Sequence, residues 1–254
     1  MSPARRDPDT GSLFPEPEHA REPASRPDAP LADRVRPRAL DELLGQDDVL
    51  GPGKPLRRAI EQDQLRSLIL WGPPGSGKTT LAQVIRRTTR AHFEAMSAVL
   101  SGVKELREIL KAAEDRRRRE GRRTIVFIDE IHRFNKAQQD ALLAHVESGD
   151  IVLIGATTEN PSFEVNGALL SRSRVVVLKP LAEPQLAEVL RKALADADRG
   201  LGSMAAEVDD EAIVFLARAA DGDARTALNV LELAVTTAPL SAEGGRHVDL
   251  AAMQ

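Results

Sequence analysis

The chain has 254 residues, 42% of them hydrophobic, which is enough for one large or two modest domains around a sizeable core. A net charge of −4 removes any global basic bias, so a nucleic-acid-binding surface would have to be local. The absence of cysteine excludes disulfides, thiolate-held zinc and thiol catalysis, and neither a membrane-length apolar run nor a secretory leader is evident, which leaves a cytosolic soluble protein as the default.

Residues 1–30 contain seven prolines among scattered charges and almost no large apolar side chains, so they read as a disordered Pro-rich tail. Leu13-Phe14 is the adjacent apolar pair there; it reads either as an unremarkable part of the tail or as a short element for a partner's pocket such as a sliding clamp.

From Leu31 the pattern changes. Ser67–Trp71, Ile125–Ile128, Ile151–Ile154 and Val175–Leu178 are short apolar runs of the kind expected for strands buried on both faces, with His92–Met96 a fainter fifth. Helical stretches at Thr80–Thr89, Lys104–Arg119 and Lys136–Glu147 separate them, which predicts an α/β fold with a parallel sheet covered by helices over residues 31–179. After Lys179-Pro180 the strands are expected to stop, and helices over Leu186–Asp198, Glu211–Ala220 and Asp223–Thr236 predict a small all-α lid domain over residues 180–254.

The segment Gly72-Pro73-Pro74-Gly75-Ser76-Gly77-Lys78-Thr79 follows a predicted strand and opens a predicted helix, with Thr80 next in line. This is the P-loop pattern: glycines let main-chain N–H groups close around phosphates, Lys78 reaches the β and γ phosphates of ATP, and Thr79 ligates Mg²⁺. The run Ile125–Ile128 then delivers Asp129 to the Mg²⁺ and Glu130 to the attacking water. At the end of the next strand, Thr157 is the candidate for holding that water or sensing the γ-phosphate, and a plain hydrogen-bonding turn before Pro161 is the other reading. His132, just after the acid pair, reads as a structural histidine, with a link between nucleotide state and a neighbouring surface as the other reading; no histidines have metal-ligand spacing, so Mg²⁺ carried by ATP is the one metal expected.

Residues 104–123 carry nine basic and five acidic side chains. Arg116–Arg119 read either as a solvated helix end complementing the helix dipole or as contacts to a phosphate backbone.

Four blocks together, Trp71–Gly75, Asp129–Lys136 (DEIHRFNK), Gly155–Glu164 (GATTENPSFE) and Leu169–Arg172 (LLSR), resemble the bacterial replication-associated recombination protein A family. That family is similar to the eukaryotic Werner-helicase-interacting ATPases and belongs to the clamp-loader clade of AAA+ proteins; the resemblance runs from about Pro30 to the C-terminus. It implies an AAA+ P-loop ATP hydrolase, cytoplasmic and nucleoid-associated, that couples hydrolysis to remodelling of DNA at stalled or gapped replication forks. Arg172 then corresponds to an arginine finger reaching a neighbouring subunit, with Arg174 as the alternative, and Arg225 in Gly222–Arg225 to the lid arginine that contacts phosphate. Arg34–Pro37 and Gly45-Gln46 correspond to the segment beside the adenine. DNA contacts, not specific for sequence, fall near Ser101–Lys104 and Lys136–Gln139. A single-stranded DNA-binding protein or a sliding clamp is implied as a partner, and the family assembles as a tetramer through a helical domain beyond the lid that a chain ending at Gln254 does not include. The alternative reading is a nucleotide-gated DNA- or protein-binding module with little turnover.

Overall fold

The computed structural model describes residues 28–240 and 245–251. Residues 1–27 of the tail, with the Leu13-Phe14 pair, lie outside the described residues. Among the described residues no helix is long and apolar enough to cross a membrane.

In chain order the elements are α1 (Leu31–Arg34), α2 (Asp47–Leu50), α3 (Pro55–Glu61), β1 (Leu68–Trp71), α4 (Lys78–Thr88), β2 (His92–Ser97), α5 (Val103–Glu120), β3 (Thr124–Asp129), α6 (Lys136–Ser148), β4 (Ile151–Thr157), α7 (Pro161–Glu164), α8 (Gly167–Ser171) and β5 (Arg174–Val177). Helices α9 (Glu183–Ala195), α10 (Asp210–Ala219) and α11 (Ala224–Thr237) follow, with strands β6 (Ala206–Val208) and β7 (Arg246–Val248).

Strands β1 to β5 form one parallel sheet in the order β2-β3-β4-β1-β5. Parallel neighbours require crossovers, and α4, α5, α6 and the α7–α8 pair supply them. Alternate side chains of each strand enter different cores. Leu68, Leu70, Phe127, Ile154 and Val176 pack with α3 and α4, while Ile69, Val126, Ile128 and Leu153 pack with α5, α6 and α8. Both faces are therefore apolar, which is why the strands read as continuous hydrophobic runs.

A third core joins α9, α10 and α11 and includes the fully buried Leu31 and Val248. Segment α1 thus packs on the lid helices: the Leu31 N–H donates to Glu232 Oε2 at 2.8 Å, and Arg34 pairs with Glu232 at 3.1 Å. The expectation that strands stop after Pro180 needs correction, because β6 and β7 pair in parallel through Glu207 opposite His247. Three-residue segments such as Ala206-Glu207-Val208 have no apolar run to announce them; tertiary packing of the fully buried Val248 selects them.

Gly155, mid-strand in β4, leaves room for Ile131 and Ile69, whose Cδ1 atoms would each lie 2.9 Å from an added Cβ. Gly155→Val should therefore overpack the sheet and lower the unfolding free energy by about 1–3 kcal/mol, measured by urea denaturation.

Candidate nucleotide site

In open parallel sheets ligands sit beyond the carboxyl ends of the strands, and a cavity of about 660 Å³ lies there, between the sheet, the lid and α1. Residues Pro74–Leu81, Asp129, Glu130, Thr158 and Arg225 line it, along with Val35, Arg36 and Pro37.

The loop from Gly72 to Gly77 owes its path to its glycines. Gly75 (φ 73°) and Gly77 (φ 93°) are left-handed, and a Cβ on Gly75 would overlap Asp223 Oδ1 from the lid while one on Gly72 would overlap the Leu178 carbonyl. Gly77 caps α4, so the first amides of that helix have no intrahelical acceptor and face an anion's natural position.

Lys78 is 6% exposed, and its Nζ donates to the carbonyls of Gly72 at 2.7 Å and Pro73 at 2.9 Å. Burial lowers the pKa of its ammonium below the usual lysine value; the carboxylates of Glu130 and Asp129 pull the other way, and Arg225 adds to the lowering. Ser76 Oγ is buried with no hydrogen-bond partner among the described residues. A desolvated cation, a buried hydroxyl without a partner among the described residues and the free amides that open α4 behind a left-handed Gly77 make a fit for a phosphorylated ligand.

Asp129 ends β3, and Thr79 Oγ1 stands 3.4 Å from its Oδ2, so these two side chains could hold a divalent cation together. Glu130 adopts φ 57°, a strained conformation for a residue with a side chain, and its Oε2 lies 3.3 Å from His132 Nδ1. That nitrogen is also 3.0 Å from Thr157 Oγ1.

Thr157 does not reach the cavity. It is fully buried, on the side of β4 that faces Ile131 and His132, and its hydroxyl accepts from the Glu159 N–H at 3.0 Å. Thr158, one residue on, lines the cavity instead. Both faces of β4 are buried, so the sequence pattern carries no sign of which threonine turns which way.

Arg225 lines the cavity from the start of α11, whose cap Asp223 accepts from the Arg225 and Thr226 amides at 2.9 and 3.2 Å. Arg172 lies elsewhere: it closes α8, donates to Ala168 O at 3.0 Å and pairs with Glu147, outside this cavity's lining. Arg174, on edge strand β5, is likewise exposed and outside it. Of the adenine-side segment, Arg36 reaches Thr80 Oγ1 at 3.5 Å. Sequence reasoning missed the contact of His132 with Glu130; a histidine two residues after the acid was its one available signal.

The sequence matches the family described as ATPase family associated with various cellular activities (AAA) over residues 68–181 and the AAA C-terminal domain over residues 202–254. Replication-associated recombination protein A of Coxiella burnetii is 54% identical over 219 residues, 86% of this chain and 49% of that protein. The chain belongs to the AAA+ ATPases, as a relative of the replication-associated recombination protein A group. The Escherichia coli K12 protein of the same name is 54% identical across 85% of this chain and 48% of its own length, and ATPase WRNIP1 of Dictyostelium discoideum is 46% identical across 82% and 23%. Among solved structures, the Thermotoga maritima RuvB Holliday junction branch migration motor superposes with a TM-score of 0.68 at 28% identity, covering 87% of this chain and 71% of that one. The chain spans about half the length of the bacterial relatives.

Because burial disfavours the charged form of Lys78, the ligand-free AAA+ fold carries a cost that an apolar side chain would not impose below that lowered pKa. Lys78→Met is expected to leave the ligand-free thermal midpoint equal or higher. It should also abolish the nucleotide-induced gain, which for the intact chain is about 2.7 kcal/mol at a hundredfold excess over Kd.

Proposed function

We propose that this chain hydrolyses ATP and uses the cycle to remodel DNA at stalled or gapped replication forks. The observation that carries the ATPase reading is the convergence of Lys78, the Asp129-Glu130 pair and Arg225 on one cavity. In this reading the amides of Gly72–Thr80, including those of Gly75, Ser76 and Gly77, cradle the phosphates behind the rigid Pro73-Pro74 turn. Lys78 neutralises charge on the transferred group. Thr79 and Asp129 would hold Mg²⁺, which would supply further charge neutralisation on the phosphates.

Glu130 is the general base. Its carboxylate takes the proton of the attacking water, and its contact to His132 limits where it points. Thr158, rather than the buried Thr157, is placed to orient that water or sense the γ-phosphate, while Thr157 steadies His132 from behind. Arg225 acts on the chain's own ligand from the lid. Arg172 lies outside that cavity's lining and pairs with Glu147, which leaves it to serve as a finger for a neighbouring copy, with Arg174 as the alternate.

We assign DNA contact to the starts of α5 and α6. Lys104 and Lys136 stand there, and the loop before α5 exposes Val99 and Leu100. Main-chain amides at helix starts with lysines beside them bind phosphate without reading bases. The name of the bacterial relatives supports a replication and recombination setting; the fork itself, a cytoplasmic location, a tetrameric assembly, and a single-stranded DNA-binding protein or sliding clamp as partner extend the proposal on the family resemblance. We divide the chain into a tail (1–30), an ATPase core (31–179) and a lid (180–254), with α1 riding on the lid.

Steady-state turnover with and without gapped or forked DNA tests the proposal. Glu130→Gln should still bind ATP while its kcat falls at least about a hundredfold; normal turnover would refute the base assignment. Lys104→Ala with Lys136→Ala should lower the slope of log affinity for DNA against log salt by about two, and an unchanged slope would move the DNA contact elsewhere.

A further inference from the structure

Gln46 is 6% exposed, and its side chain makes contacts at both ends. Its Nε2 donates to Ser76 O at 3.3 Å and to Lys179 O at 2.8 Å, and its Oε1 accepts from the Lys179 N–H at 3.2 Å. A primary amide offers two donors and one carbonyl acceptor. All are spent joining the phosphate loop to the peptide where the chain leaves β5 for the lid.

Gly45, beside it, is left-handed at φ 75°, and a Cβ there would come within 2.5 Å of Leu181 Cδ2 and 2.8 Å of Gln185 Oε1. The first residues of the lid therefore rest on bare backbone. The Leu181 N–H donates to Gly222 O at 3.3 Å, and a Cβ on Gly222 would meet Pro180 Cβ at 2.6 Å. Next comes Asp223, the cap of α11, packed against Gly75. The contacts form a closed circuit from phosphate loop through Gln46, Lys179, Leu181 and Gly222 to Asp223 and back, with Arg225 two residues beyond.

We propose that Gln46 is a positioning residue that ties the phosphate loop to the lid hinge, so that a triphosphate in the loop fixes the lid and thereby Arg225. The inference rests on the ATPase reading above. Its physical ground is that the Ser76 carbonyl and the Lys179 peptide cannot move apart without leaving an amide that is 6% exposed short of its partners. A side chain of similar volume without polar atoms fills the space but leaves loop and hinge free to move separately.

A double-mutant cycle on steady-state turnover tests this, with Gln46→Leu and Arg225→Ala made singly and together and Glu130→Gln as a control. Gln46→Leu should lower kcat about tenfold and change the KM for ATP by less than about threefold. In that background Arg225→Ala should cost little more, because the arginine is no longer delivered; effects that simply multiply overturn the inference. If the intact chain itself shows no ATP turnover, the ATPase reading falls and takes the inference with it. An inert Glu130→Gln alongside multiplying effects removes the inference alone. Hydrogen exchange on the intact chain gives a readout independent of any variant's folding. A non-hydrolysable ATP analogue should slow exchange at Lys179 and Leu181 together with residues 75–79, whereas protection confined to 75–79 overturns the inference.

Discussion

A cation held out of water is the constraint on which the site depends. Lys78 is buried, contacts two main-chain carbonyls, and is disfavoured in its charged form by that burial. Carbonyl oxygens satisfy its N–H groups but do not neutralise it. The loop is thus built for an anionic occupant, and the glycines at 72, 75 and 77 are what allow the backbone to draw near enough.

The parallel sheet serves that constraint. With both faces covered, its strands are stiff and dry, and their carboxyl ends are where polar groups can gather. β1 delivers the loop, β3 delivers Asp129 and Glu130, and β4 delivers Thr158, from three strands adjacent in the order β3-β4-β1. The lid adds Arg225 from the opposite side, so the cavity exists only while lid and sheet are apposed.

What could be read from the sequence follows the range of the interactions. The five strands, the phosphate loop and the acid pair are local patterns: an apolar run, a spacing of glycines, two acids at a strand end. The six long helices α4, α5, α6, α9, α10 and α11 agree with their expected spans to within about three residues, while α2, α3, α7 and α8 are too short to show a periodicity; Pro184 near the start of α9 and the turn at Asp196 set that helix nearer the N-terminus. Thr157 against Thr158 was undecidable because β4 is buried on both faces and loses its parity signal. Gln46 was placed near the base on resemblance, yet its amide is engaged with segments far away in the chain, which no local pattern encodes. The same holds for β6 and β7, and for α1, whose four residues have no periodicity to reveal that they belong with the last helix.

That placement of α1 has a mechanical corollary. Leu31 is anchored in the lid's core and tied to Glu232, while Arg36, only five residues later, reaches across to Thr80 beside the phosphate loop. The short stretch from Leu31 to Arg36 thus forms a second tether between the lid's core and the phosphate loop, so that a displacement of one would strain the other.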